Sequence, residues 1–248
     1  MTSGIPLDLS ARAAAAGGSP VLGGYLAVPD GPGPWPGMVL VHEAFGLDAE
    51  MRGHADRLAR MGFLTLAPDL YSAGGARRCL VATFRALASG RGRAFADIEA
   101  ARTELAERPD CTGRIGVIGF CMGGGFALLT AAKGFEASSV NYGQLPRDLD
   151  AAVEGACPIV GSYGARDVSL RGAAGRLEAA LTRADVPHDV VEYPDASHAF
   201  LNERENAPAL LRPFVRIMNF GPAPEAAAHA WGRIESFLRT HLDPRAGS

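Results

Sequence analysis

The 248-residue chain has no apolar run approaching the ~18 residues that a membrane-spanning helix needs. It also lacks a charge excess: 24 Lys and Arg stand against 27 Asp and Glu, a formal net charge of -3. That balance argues against nucleic acid as a partner, since such proteins carry a basic face. No C-x-x-C occurs among the four cysteines at 79, 111, 121 and 157, which argues against a zinc knuckle or a thioredoxin-type site. A chain of this size needs no disulfide staples, so free thiols are expected. The alanine run at 13–16 is too short for a signal-peptide core, and no basic cluster precedes it, so a cytoplasmic chain is expected. Internal repeats and long linkers are missing too. The Gly/Pro-rich stretch 30–37 reads as a loop between strands, and 1–248 as a single domain.

What is present is an alternation. Hydrophobic residues make up 48% of the chain and charged residues 21%, ordinary for a globular protein. Short apolar runs predict strands at 37–42, 63–68, 114–119, 137–142, 157–163 and 189–193. Between them, helical spacing predicts helices at 48–61 (with Asp48 as cap), 93–108, 122–133 and 224–241. Strands alternating with helices imply an α/β fold, a mostly parallel sheet with helices on both faces. The first two strands, near 5–10 and 21–28, are expected to form an antiparallel edge. In such sheets, sites lie at the carboxyl ends of the strands. The arginines at 77–93, followed closely by Asp97 and Glu99, read as a solvated helix face rather than an anion-binding patch.

Gly119-Phe120-Cys121-Met122-Gly123-Gly124 falls where a strand ends and a helix begins. A hydrolase nucleophile elbow has the pattern G-x-S-x-G in that context, here with cysteine in the nucleophile position. The turn crowds the backbone, so small residues are needed two before and two after the nucleophile, as Gly119 and Gly123 are. It also sets Cys121 at a helix N-terminus, whose dipole favours a thiolate. The Met122 N–H is the natural oxyanion donor. A dinucleotide fingerprint fails because Ile118 occupies a required glycine, and a P-loop fails at Gly124-Gly125-Phe126.

Nucleophile, acid, histidine is the chain order of such hydrolases. Of the histidines after Cys121, His198 alone sits on a loop after the last predicted strand; His229 and His241 fall in a helix and His188 opens a strand. Asp167 ends the preceding strand and loop, where a carboxylate can fix the imidazole tautomer. The rival, Asp195, is three residues from His198 and is expected to shape the turn instead.

These residues resemble the dienelactone hydrolase family over roughly 20–243. The resemblance rests on His42-Glu43-Ala44-Phe45-Gly46, Pro68-Asp69-Leu70-Tyr71, the G-F-C-M-G-G elbow, Asn141-Tyr142-Gly143, the G-x-x-D at Asp167 and S-H-A-F at 197–200. It implies an α/β-hydrolase fold and hydrolysis of a small lactone or ester through an acyl-cysteine, by a monomer needing no metal or organic cofactor. It implies that Glu43 helps convert the thiol to thiolate when substrate binds, and that the Ala44 N–H is the second oxyanion donor. H-E-x-x-H zinc chemistry is excluded because Gly46 stands at the second histidine position. Family members that cleave dienelactone carry an arginine four residues after the histidine, where this chain has Asn202. Arg204, and Arg77 or Arg78, are candidates for holding a substrate carboxylate, and Tyr142 for lining the pocket. The segment 206–224 is longer than usual. Two other classes remain: a non-catalytic binding scaffold, and a thiol redox sensor that pairs Cys121 with Cys79 or Cys157.

Overall fold

The computed structural model describes residues 4–206 and 220–242, so most of the long 206–224 segment lies outside the described residues. Two compact units divide the chain, residues 1–118 and 119–248.

In the first unit the strand order is β1 (Ile5–Asp8), β2 (Gly23–Ala27), β4 (Leu64–Pro68), β3 (Trp35–Val41), then β5 (Cys111–Phe120). The antiparallel edge expected at the start of the chain is β1 on β2, and β2 also runs antiparallel to β4. β3 and β4 pair parallel, with Met38 opposite Thr65 and Val39 opposite Leu66. Every residue of β4, and β3 from Gly37 on, is buried. That two-sided burial is why these strands read as continuous apolar runs without alternation. Helix α2 (Ala49–Arg60) starts where predicted: the Asp48 carboxylate accepts a hydrogen bond from the Met51 N–H at 3.0 Å. Its buried residues, Met51, His54, Ala55, Leu58 and Ala59, follow the helical period. Three further helices complete this unit: α1 (Ser10–Ala15), α3 (Ala76–Ser89) and α4 (Arg93–Ala106). Cys111 is the first residue of β5, which begins three residues before the strand predicted at 114–119.

The second unit opens with the last residues of β5 and carries β6 (Ala137–Asn141), β7 (Ile159–Gly164) and β8 (His188–Tyr193), in that order and all parallel. Among the described residues four helices accompany them: α5 (Met122–Thr130), α6 (Leu149–Val153), α7 (Ala173–Arg183) and α8 (Pro224–Leu242). α5 is buried all round apart from Leu129, so it shows no amphipathic period. No helix among the described residues is long and apolar enough to cross a membrane.

Candidate active site

Cys121 occupies the turn between β5 and α5 with φ 54° and ψ -116°, a conformation that L-residues avoid. What enforces it is backbone crowding. A Cβ on Gly119 would stand 1.9 Å from the Gly123 carbonyl oxygen, so only glycine fits. A second close approach was not visible in the sequence: a Cβ on Gly124 would meet the Asn141 oxygen at 2.7 Å and Gly143 Cα at 2.8 Å. The elbow is thus pressed against the end of β6. Asn141 clasps it from both sides, accepting the Cys121 N–H at 3.1 Å and donating its side-chain amide to the Gly119 carbonyl at 3.2 Å. The N-Y-G motif at 141–143 is therefore the seat of the elbow. Met122 is the buried first residue of α5.

Asp167 follows β7 and is 1% exposed. One of its oxygens takes both the N–H and the hydroxyl of Ser169, at 3.0 and 2.6 Å. The other meets Nδ1 of His198 at 2.5 Å. Asp195 lies elsewhere, paired with Arg166 at the surface. The acceptor at Nδ1 leaves Nε2 of His198 for the Cys121 sulfur, with which the ring is hydrogen-bonded. Burial disfavours the imidazolium, but the Cys121 sulfur and the Asp167 carboxylate outweigh it and push the His198 pKa up to about 10. For Asp167 burial also acts against the charge, and the His198 and Ser169 hydrogen bonds prevail, holding its carboxyl below the ordinary range.

Aromatic rings fix the histidine. Tyr142 lies 5.1 Å from it and Phe220 4.9 Å, centroid to centroid. Phe200, buried, packs on Tyr142 and on Tyr193. Tyr142 is itself fully buried, and its hydroxyl reaches Asn202 Oδ1 at 3.5 Å. The second unit therefore brings together Cys121, Asp167, His198, Tyr142 and Asn202. Arg204 is exposed, and its side chain makes no hydrogen bond or ion pair among the described residues. Three of the four non-glycine residues with positive φ among the described residues are Cys121, Tyr142 and Ala199. Backbone strain is thus concentrated where chemistry is expected.

In the first unit, Glu43 and Ala44 follow β3, and Glu43 is buried. His42, also fully buried, fixes the turn that carries them. Its Nδ1 meets the Glu43 carbonyl at 2.7 Å, and its Nε2 accepts the Leu70 N–H at 3.1 Å. Those partners define a neutral ring protonated on Nδ1. Burial, the largest influence, holds its pKa below 6.5. Tyr71 adds a hydroxyl to the Ala44 carbonyl at 3.1 Å and an edge contact to the His42 ring at 4.9 Å. The P-D-L-Y motif thus serves to hold the H-E-A-F-G turn, a job the sequence did not disclose. Arg78 is exposed on α3 and lines a cavity of the first unit.

The model of the dienelactone hydrolase family matches residues 22–242. Two relatives, both named "putative carboxymethylenebutenolidase", come from Escherichia coli K12 and Methylorubrum extorquens AM1. The first is 31% identical, covering 68% of this chain and 68% of the relative. The second is 29% identical, covering 89% and 77%. The crystal structure of dienelactone hydrolase from Anabaena variabilis has a TM-score of 0.65 at 20% identity and covers 96% of this chain and 98% of that one. The likeness shows an α/β-hydrolase fold with a mostly parallel sheet.

Proposed function

Because this chain belongs to the dienelactone hydrolase family, we propose that it hydrolyses a small carboxylic ester or lactone through an acyl-cysteine intermediate. The observation that carries this reading is the continuous line from Asp167 Oδ2 through His198 to the Cys121 sulfur, with the sulfur on a strained elbow. Cys121 Sγ attacks the carbonyl carbon, and the Met122 N–H donates a hydrogen bond to the developing oxyanion. The imidazolium of His198 gives its Nε2 proton to the leaving alkoxide. It then takes a proton from the water that attacks the thioester, and the thiolate departs with the acid released. Asp167 keeps the ring in the tautomer that these steps need. By family resemblance, Glu43 promotes the thiolate and the Ala44 N–H is the second oxyanion donor.

Among the groups proposed to meet the substrate, Tyr142 and Asn202 form a buried polar pair beside His198. Asn202 offers no cationic fork for a carboxylate, so the reading favours a substrate that is uncharged there. Arg78 and Arg204 stay candidates for a charged substrate tail. The thiol-sensor alternative needs a reactive second thiol, and burial pushes Cys157 up to about 12, which makes it a poor one.

The test is intact-protein mass spectrometry after brief, acid-quenched incubation with p-nitrophenyl acetate and, separately, a dienelactone. An acetyl adduct mapping to Cys121 is expected, with turnover reduced about 10⁴-fold in His198→Ala. Unchanged turnover in Cys121→Ala would overturn the scheme. The ratio of the two substrates measures what Asn202 does to the acidic one.

A further inference from the structure

The first unit contains a cavity of about 580 Å³ lined by Arg78, Arg85, Arg91 and Arg93, with Asp97 its one acidic residue. The sequence alone made these arginines a solvated helix face; their placement around one concavity changes that reading. From Leu70 to Ala96 the chain has no acidic residue and five arginines. Seven arginines elsewhere in the chain, Arg12, Arg102, Arg108, Arg166, Arg183, Arg233 and Arg239, each contact a carboxylate. The side chains of Arg78, Arg85 and Arg91 form no ion pair among the described residues. In a chain with more acidic than basic residues, leaving three guanidinium groups uncompensated on one wall is an electrostatic arrangement that an anion would relieve.

Asp97 is the single counter-charge on the wall, and Arg93 is the arginine it interacts with. Its two oxygens are already occupied by Ser19, one by the N–H and one by the hydroxyl, both at 2.7 Å. Burial is the main influence on it and raises its pKa, while Arg93 pulls the other way. Four arginines and one carboxylate thus line the cavity. The first turn of α4, which has no side-chain cap, opens on the same space through Arg93 and Ala94. Leu70 and Ala86 supply an apolar part of the lining.

We propose that this cavity binds a small organic phosphate, a phosphate monoester with a compact polar or sugar-like body. The planar forks of several arginines match a dianionic tetrahedral oxyanion. The volume is in the range of small-molecule pockets and leaves room for a body beyond the phosphate group. All the residues concerned lie between 19 and 97, so the proposal stands independently of the role given to Cys121.

The test uses calorimetric titration of the full chain with ribose 5-phosphate, ribose and citrate, on wild type and on the double variant Arg85→Gln/Arg91→Gln. Both side chains are exposed, so the variant is expected to fold, and an unchanged melting temperature checks this. Saturable binding of ribose 5-phosphate is expected, with no binding of ribose and at least about tenfold weaker binding in the variant. Citrate binding more tightly than ribose 5-phosphate overturns the phosphate assignment. Absence of binding, or binding unaffected by the double variant, overturns the site. Retention of the protein on anionic vesicles or an oligonucleotide without saturable ribose 5-phosphate binding overturns it in favour of a macromolecular anion.

Discussion

Cys121 sits in a conformation that costs stability, at the position proposed for the nucleophile. Its φ of 54° lies where glycine is comfortable and other residues are not. Cys121→Gly is therefore expected to raise stability by about 1 kcal/mol while abolishing turnover. Chemical denaturation of the two proteins side by side checks this, and a destabilised glycine variant would mean that the thiol's contacts outweigh the strain. That Cys121, Asp167 and His198 would meet was legible in the sequence because each follows a strand and their order along the chain is constrained. His42 was not. Its neighbours in sequence suggested only a failed zinc motif, whereas its real partner, the Leu70 N–H, is 28 residues away.

At the scale of elements, the elbow and the end of β6 interlock backbone to backbone. Gly143→Ala would bring a Cβ to 2.5 Å from the Gly124 carbonyl carbon. Neither backbone can yield without moving α5, so a loss of at least about 3 kcal/mol is expected. Gly53 is the contrast. It lies exposed in the middle of α2, and a Cβ there meets nothing within 4 Å. Gly53→Ala is expected to add about 0.5–1 kcal/mol by restricting the unfolded chain and raising helix propensity. Thermal melts of the pair give the two signs, and equal shifts would contradict the packing argument. The same scale explains which helices the sequence showed. α2 carries a polar cap and a regular buried stripe. α3 showed only as a helix face at 77–93, without bounds, because glycines flank it without side-chain caps and it buries only Thr83, Ala86 and Leu87. α7 also starts at a glycine, and its alanine-rich buried face gives a weak apolar signal.

For the whole molecule, the buried titrating groups set a pH window. His198 has a folded pKa of about 10 against an ordinary 6.5, so its contribution is complete below 6.5 and is lost as pH rises through 10. His42 is held below 6.5 by burial, so the unfolded chain takes up a proton first and stability falls as pH drops below 6.5. Asp167, lowered, adds a further loss as pH falls through its folded value; Asp97, raised by burial, works in the opposite direction near pH 4. The denaturation midpoint is expected to peak near pH 6.5 and to decline towards both pH 5 and pH 9.5. A midpoint still rising between pH 6.5 and 9.5 would show that the His198 imidazolium is not retained. The alternation of strands and helices gave the fold class in advance, but a cavity wall formed by side chains from two helices has no linear signature. The arginines at 77–93 are exposed, as the sequence reading of a solvated helix face expected.

The clasp on the elbow also has a kinetic meaning. The amide proton of Cys121 points at the Asn141 oxygen, and the turn behind it is backed by Gly143. For that proton to exchange with solvent deuterium, the start of α5 has to part from the end of β6. Deuterium uptake at this one amide is thus a clock for the opening of the second unit's core, and a side chain tied to that clock keeps its aim for as long as the core stays shut.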